Sequence, residues 1–266
     1  MESPKNTTLR IVTFNARYMH DGDGANNFLY RLPLICDTIR SRDPDIICFQ
    51  EITLEMRRIL LSEFPEWPIL GGGLWNDHTN ETPCIAYRRE RLMPTDVESF
   101  WLSPNPAEPS VFALDQSICM RLCIAATFQP LDGGGAFRVF NTHTDHVGAL
   151  SRVLATGEIL SHISEADNRR RLPLIITGDL NALPDAPEIE LFRRYESHPV
   201  RDITSDIKAS YHGFGRVKKD VKIDYIFTDL ETVSVEPWTE SRDGLTLSDH
   251  YPIGAELRLP VCELIK

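Results

Sequence analysis

Long hydrophobic runs are missing from this sequence of 266 residues. No apolar stretch approaches the roughly 20 residues that cover a bilayer, which argues against a membrane-spanning helix. The N-terminus, Met1-Glu2-Ser3-Pro4-Lys5-Asn6, has no basic segment leading into an apolar one, so no secretory signal is expected and the expected address is the cytoplasm. Paired cysteines are lacking as well. Cys36, Cys48, Cys84, Cys119, Cys123 and Cys262 form no CxxC pair and no zinc-ligand spacing. Most sit in apolar contexts such as Ile46-Ile47-Cys48-Phe49 and read as inert core thiols. There is no internal repeat, low-complexity tract or Gly/Ser linker. Positive charge is scarce: 28 Lys and Arg against 39 Asp and Glu give a formal net charge of -11. A surface of that sign repels a phosphate backbone, which disfavours a processive binder of duplex DNA. The local clusters Arg88-Arg89 with Arg91, Arg169-Arg170-Arg171, and Lys218-Lys219 with Lys222 are read as solvated loop charge.

What is present is the balance of a globular chain, 42% apolar and 25% charged, long enough for one domain with a full core. Leu9-Arg10-Ile11-Val12-Thr13-Phe14 alternates β-formers and stops at Asn15, which predicts a first strand. A helix over about 26–42 follows, with Phe28, Leu32, Ile35 and Ile39 on one stripe and Pro33 expected in the first turn, where its missing N–H costs little. Asp45-Ile46-Ile47-Cys48-Phe49 reads as a buried strand ending in Gln50-Glu51. A helix over 53–62 comes next. Further strands are predicted at Cys84–Arg88, Val97–Leu102, Arg121–Phe128, Phe137–Asn141, Leu174–Thr177, Lys222–Thr228, Thr232–Pro237 and Tyr251–Leu257, with another long helix at about 148–165. Helices alternating with strands indicate an α/β fold with layers on both sides of sheet. The Pro-rich stretch Ser103–Pro109 reads as an ordered loop, so a single domain is expected.

Polar, oxygen-bearing residues recur at the tips of apolar strand runs: Phe14-Asn15, Phe49-Gln50-Glu51, Phe140-Asn141-Thr142-His143, Thr177-Gly178-Asp179-Leu180-Asn181, Ile223-Asp224-Tyr225 and Leu247-Ser248-Asp249-His250. Each alone is ordinary, since an Asn after a strand or an Asp-x-Asn is common turn chemistry and a lone histidine is commonly a satisfied, partly buried one. Together they can converge side chains on one crevice, because strand ends are rigid.

This ordered set resembles the motif series of the endonuclease/exonuclease/phosphatase superfamily, which includes deoxyribonuclease I, exonuclease III, neutral sphingomyelinases, inositol polyphosphate 5-phosphatases and nocturnin-like deadenylases. The resemblance runs from about residue 9 to 257. Phe100-Trp101-Leu102-Ser103, the Arg121-Leu122-Cys123 strand, and Tyr211-His212-Gly213-Phe214 ahead of Lys222-Ile223-Asp224-Tyr225 resemble its small bacterial branch. The fold it implies is a four-layer α/β sandwich, two mixed β-sheets packed face to face with helices outside.

The resemblance also implies roles. Glu51, with Asn15, Asp179 and Asp249, would serve a metal. A hard cation with oxygen ligands and no cysteine near it points to Mg2+, with Mn2+ as a substitute. His143, Asp179, Asn181, Asp224 and His250 are the catalytic set, with Asn15, His143, Asn181 and His250 contacting the substrate phosphate. Asp224 would accept a hydrogen bond from His250 and fix its tautomer. Glu81, opening Glu81-Thr82-Pro83-Cys84-Ile85-Ala86-Tyr87-Arg88, resembles the glutamate partner of His143; read without the family it is a solvated loop carboxylate. The reaction implied is in-line attack of water on phosphorus, with no covalent nucleophile.

The acidic composition favours a small phosphorylated metabolite or a short nucleic acid as substrate. An RNA exonuclease of the deadenylase type is the alternative and needs stacking rings along a groove, for which Trp75, Trp101, Tyr211 and Phe214 are candidates. A catalytically inactive binding module with the same fold is the alternative of another class, against which every metal and histidine position is filled. Membrane work is disfavoured by the lack of an amphipathic apolar hairpin, and a monomer is expected.

Overall fold

The computed structural model describes residues 8–71 and 82–260. Glu81, Trp75 and Cys262 lie outside the described residues. The elements are β1 (Thr8–Asn15), α1 (Phe28–Arg42), β2 (Ile46–Ile52), α2 (Leu54–Glu63), β3 (Ile69–Gly71), β4 (Thr82–Tyr87), β5 (Leu92–Trp101), β6 (Leu122–Pro130), β7 (Phe137–His143), α3 (Ala149–Arg169), β8 (Leu174–Asp179), α4 (Pro187–Arg193), β9 (Arg201–Asp202), β10 (Asp224–Thr228), β11 (Glu231–Pro237), the short hairpin β12 (Ser241–Arg242) and β13 (Leu245–Thr246), and β14 (Ile253–Arg258).

Two mixed sheets of six strands result, ordered β11-β14-β1-β2-β4-β3 and β5-β6-β7-β8-β10-β9. Each has one parallel pair at its centre, β1 with β2 and β7 with β8, and the neighbouring strands run antiparallel. Helices α1 and α3 make the two parallel connections, as parallel pairing requires a crossover.

Period-two alternation distributes the core into three layers. Leu9 and Ile11 of β1, Ile46 and Cys48 of β2, Val139 of β7, Ile175 of β8 and Ile226 of β10 meet between the sheets. The opposite faces pack on helices: Val12, Phe14, Ile47 and Phe49 against Phe28, Ile35 and Ile39 of α1 and Met56 and Leu60 of α2, and Phe140 and Ile176 against Ile159 and Ile163 of α3 and Ile189 and Phe192 of α4. This is the four-layer sandwich that the resemblance implied.

Details differ from expectation where local signals were weak. Helix α1 begins at Phe28, capped by Asn27, whose side chain accepts from the Leu29 amide. Pro33 therefore falls in the second turn rather than the first, within a helix that continues unbroken to Arg42. The stripe of α1 includes Arg31, fully buried, beside Leu32, which is partly buried against the same core. Lys222 is not a solvated loop charge: it is buried, with Nζ 3.0 Å from Asp202 Oδ2 and 4.3 Å from the Tyr225 ring centroid. Cys36, Cys48, Cys84 and Cys123 are buried free thiols, and burial pushes the Cys48 thiol up to about 12, which keeps it protonated and inert. No helix among the described residues is long and apolar enough to cross a membrane.

One glycine is dictated by the sheet. Gly178 of β8 pairs with Thr142 of β7, and a Cβ there would sit 2.3 Å from the Thr142 carbonyl oxygen. Backbone cannot retreat as a side-chain tip can. Gly178→Ala is expected to lower stability by about 3 kcal/mol in a urea melt, and a melt within 0.5 kcal/mol of wild type, roughly the neutral range of surface changes, would show that the two strands can part at this point.

Candidate active site

Extending the inward-facing row of each strand to its tip leads to one place. Along β1 the row is Leu9, Ile11, Thr13, Asn15; along β7 it is Phe137, Val139, Asn141, His143; along β8 it is Ile175, Thr177, Asp179; along β10 it is Asp224 and Ile226. The polar tips therefore gather at one end of the sandwich, between the sheets. Asp224 opens β10 and His250 precedes β14 rather than following a strand, but β10 and β14 run antiparallel to β8 and β1, which brings their starts to the same edge.

Glu51 breaks the alternation. Parity would put it on the helix-facing side with Phe49. A register shift between Phe49 and Ile52 and a left-handed φ of 62° at Glu51 redirect it, as a bulge beside a functional site does. Its Oε1 accepts from Asn15 Nδ2 at 3.1 Å and its Oε2 from the Tyr18 amide at 3.0 Å.

Beneath the site lies a buried polar layer joining the sheets. Gln50 Nε2 donates to Asn141 Oδ1 at 2.7 Å and to Thr13 Oγ1 at 3.1 Å. Asn141 Nδ2 donates to the carbonyls of Phe49 and Cys84, and Thr177 Oγ1 donates to Asn141 Oδ1. Networks of this kind set register and rigidity, although the buried Gln50 Oε1 has no hydrogen-bond partner among the described residues. Asn141 and Gln50 thus hold the floor, and neither lines the cleft above it.

On that floor the functional groups form a continuous chain. Asn15 Nδ2 donates to Asp179 Oδ2 at 2.9 Å as well as to Glu51, and Asn15 Oδ1 accepts from the Arg17 amide at 3.0 Å. Asn15 is therefore a bridge between two carboxylates. Asp179 Oδ2 lies 3.6 Å from His143 Nε2 and 3.7 Å from His250 Nε2, and Asp179 Oδ1 accepts from the Asn181 amide at 2.9 Å. His250 Nδ1 is 2.8 Å from Asp224 Oδ2. Asp224 is fixed in turn by Ser210 Oγ, which accepts from the Asp224 and Ile223 amides. Asn181 takes a left-handed φ of 46°; its Nδ2 donates to the Thr144 carbonyl and lies 3.1 Å from His143 Nε2.

Burial would push the Asp179 carboxyl up, but His143, His250 and the bonds from Asn181 and Asn15 outweigh it and hold the group below the ordinary carboxylate range. Burial would lower the His250 ring, but the charges of Asp224 and Asp179 and the Asp224 hydrogen bond raise it to about 10. For Asp224 burial dominates, with the Asp179 charge adding to it, and its affinity for a proton rises despite His250. The ligand-type atoms of Asp179, His250 and Asp224 lie within 4.8 Å of one another, which places the imidazole between two carboxyl groups.

The cleft above has a volume of about 370 Å³. Glu51, Asp179 and Asp249 bring carboxylates to it, a set of oxygen donors that fits a hard divalent cation. Arg17, Tyr18, Arg121, His146 and Tyr211 complete its walls. Cys119 also lines it, so a cysteine does stand near the site, contrary to expectation: the loop from β5 to β6 carries it there just ahead of Arg121, and linear spacing gives no hint of that path. Arg121, almost fully buried, places Nη1 3.0 Å from His143 Nδ1 and Nη2 3.4 Å from His146 Nδ1. Arg31 donates to the carbonyls of Ala16, Arg17, Asn26 and Leu247, which ties the exit of β1 to the segment bearing Asp249 and His250. Of these residues Arg31 had a readable signal, a charge at a stripe position three residues after Phe28 and four before Ile35. Arg17 and Tyr18 follow Asn15 directly past the same strand tip.

A sequence profile described as Endonuclease/Exonuclease/phosphatase family matches residues 12–250. The chain belongs to this family. Family members are phosphoesterases and nucleases. An endonuclease/exonuclease/phosphatase family structure from Bacteroides vulgatus is 30% identical, superposes with a TM-score of 0.86 and is covered over 99% of its length by 95% of this chain. The mannosyl-6-phosphatase of Bacteroides thetaiotaomicron is 23% identical, with a TM-score of 0.80 and coverage of 94% of this chain and 99% of that one. The human Nocturnin catalytic domain with bound sulfate is 17% identical, with a TM-score of 0.73 and coverage of 97% and 96%. The latter two likenesses speak to the fold. Comparison with curated proteins finds no match.

Proposed function

We propose that this member of the family is a Mg2+-dependent hydrolase of small phosphate esters. The observation that carries the reading is the chain Glu51–Asn15–Asp179–His250–Asp224 on the floor of a cleft of about 370 Å³, at the low end of the roughly 300–1,000 Å³ of small-molecule sites.

Asp179, held anionic, accepts from and orients the attacking water. His250, held cationic, sits beside the phosphoryl oxygens and offsets the charge that grows on them. His143 with Asn181 faces the same oxygens from the other sheet. Glu51 would hold the divalent ion, with Asp249 close by, and the bound ion supplies further charge neutralisation at the phosphate. A histidine whose proton is held so tightly serves as a fixed cation more readily than as a proton donor, since efficient proton transfer favours a pKa near the working pH.

Small esters are favoured by the cleft's modest volume and by the placement of positive charge. In a chain of net charge -11, Arg17 and Arg121 line the cleft and would draw in an anion that the remaining surface repels. The likeness to a mannosyl-6-phosphatase supports a sugar phosphate as the first substrate to test. The deadenylase reading is less favoured: of the rings that line the cleft among the described residues, Tyr211 packs on His250 at 4.8 Å and Tyr18 stacks with Arg17 at 4.7 Å, whereas Phe214 lies 5.5 Å from Arg31.

The test is release of phosphate from nitrophenyl phosphate and hexose 6-phosphates, alongside bis-nitrophenyl phosphate and a short oligoadenylate. Activity on a monoester, abolished by excess chelator and restored by Mg2+ or Mn2+, is expected. Full activity in chelator would overturn the metal assignment, and a strong preference for the oligonucleotide would turn the assignment to the deadenylase type.

A further inference from the structure

Arg17 stands two residues beyond Asn15 at the exit of β1, and the roles above do not account for how firmly it is held. Its backbone takes a left-handed φ of 55°, which a residue with a side chain keeps only where neighbours over-determine it. Those neighbours are Asn15 Oδ1, which accepts from its amide at 3.0 Å, and Arg31 Nη2, which donates to its carbonyl at 3.2 Å.

The guanidinium is fixed as well. Nε donates to Asp23 Oδ2 at 2.9 Å and Nη2 to Asp23 Oδ1 at 3.3 Å, and the group lies 4.7 Å over the Tyr18 ring. Nε is also 3.9 Å from Asp249 Oδ2. Glu51 is close enough to favour the charge electrostatically. The fork to Asp23 uses Nε and Nη2 and leaves Nη1 outside it, on a side chain that lines the cleft. Arg17 and the buried Arg31 thus both stand near the carboxylates of Glu51, Asp23 and Asp249, and of the two it is Arg17 that lines the cleft.

Phosphoesterases that use two divalent ions set them roughly 3.5–4 Å apart and share carboxylates between them. An arginine whose Nε lies 3.9 Å from Asp249 Oδ2 opposes a further ion at that carboxylate by charge. It also differs from an ion in being present whatever the metal concentration, with planar N–H geometry suited to phosphoryl oxygens.

We propose that Arg17 stands in place of a second divalent ion, so that the protein takes a single divalent ion, at Glu51, while Arg17 adds its positive charge to that of His250 at the substrate's phosphate, from the Asp249 side. The inference rests on the phosphoesterase reading for its ligand. It makes a claim that reading does not: the metal-free protein retains part of its affinity for phosphate through a side chain.

Titration of the full chain with Mn2+, followed by calorimetry and by electron paramagnetic resonance, gives the stoichiometry without any turnover. Wild type is expected to bind one ion. Arg17→Met, which keeps the volume and removes the charge, is expected to admit a second, weaker ion with the resonance broadening of two coupled Mn2+, and to bind inorganic phosphate at least about 10-fold more weakly when metal-free, a loss typical of one charge-assisted contact. Arg17→Lys is expected to bind one ion. Two ions on wild type would overturn the inference and leave the metal-dependent phosphoesterase reading standing, whereas no bound ion would overturn both. Arg17→Met with one ion and unchanged phosphate affinity would also overturn it. Should Arg17→Met fail to fold, as judged by circular dichroism, the wild-type and Arg17→Lys stoichiometries still decide.

Discussion

His250→Ala is expected to lower kcat by about 10²-fold to 10³-fold, the loss on removing one preorganised group that stabilises charge developing in the transition state, with a much smaller change in KM. The ring lies 3.7 Å from Asp179 and 2.8 Å from Asp224, and its cation acts on charge that appears in the transition state rather than in the bound ester. Asp224→Asn should keep the ring in place while removing the charge that raises its pKa, and so give a smaller loss of the same kind. Because the two act as one unit, the double variant should be little worse than His250→Ala. Multiplicative losses, with folding checked by circular dichroism, would show that the residues act independently.

The same pair sets a pH dependence. His250 is raised from 6.5 to about 10 in the folded protein, so the folded state binds its proton more tightly than the unfolded state. Its contribution to stability is then present in full below about 6.5 and is lost as pH rises through about 10. Activity that depends on the imidazolium should follow the same course, holding through neutral pH and falling on the alkaline side. In Asp224→Asn the alkaline limit should move down towards 6.5. A limit that stays where it is in wild type would assign the titration to another group.

Glu51→Gln is expected to reduce Mg2+ affinity by at least about 10²-fold, since even partners one shell out cost 10–100-fold, and to abolish turnover at ordinary Mg2+ concentrations. The fold should survive. The amide oxygen of the substituted residue can still accept from Tyr18 or Asn15, which now hold the two carboxylate oxygens. Removing a negative charge from a cleft already holding Asp179 and Asp249 relieves repulsion in the metal-free protein. Thermal unfolding without metal should therefore occur at the wild-type temperature or slightly above it. Unchanged Mg2+ affinity by calorimetry would remove Glu51 from the metal site.

Much of this architecture was legible in the chain, for reasons that particular residues make clear. Leu9, Ile11 and Thr13 alternate with Arg10, Val12 and Phe14, and a strand faced on both sides by core leaves that mark. Thr53, read as the first residue of α2, instead caps it through its side chain, accepting from the Met56 amide. Helix α4 and the short strands β3, β9, β12 and β13 went unread because segments of two to seven residues carry too few periods to signal. Lys222 was misread because its partner Asp202 is distant in sequence, and only folding shows that the charge is buried and paired.

The sequence by itself determined the composition of the site: which side chains stand at strand tips, and that they are carboxylates, amides and imidazoles, because alternation and strand length are local properties of the backbone. The alternation of strands and helices was local in the same way, whereas the two sheets packed face to face were what the family resemblance implied. Tertiary structure alone decided which of those groups touch. The bulge at Glu51 turns that carboxylate to the cleft against its own parity, Arg31 ties β1 to the segment bearing Asp249, and the β5–β6 loop delivers Cys119 and Arg121 to His143. Each depends on a contact between residues far apart in the chain. The energy of such a contact, and the pKa it sets at His250 and Asp179, arises from distance and desolvation in three dimensions, which linear spacing does not encode.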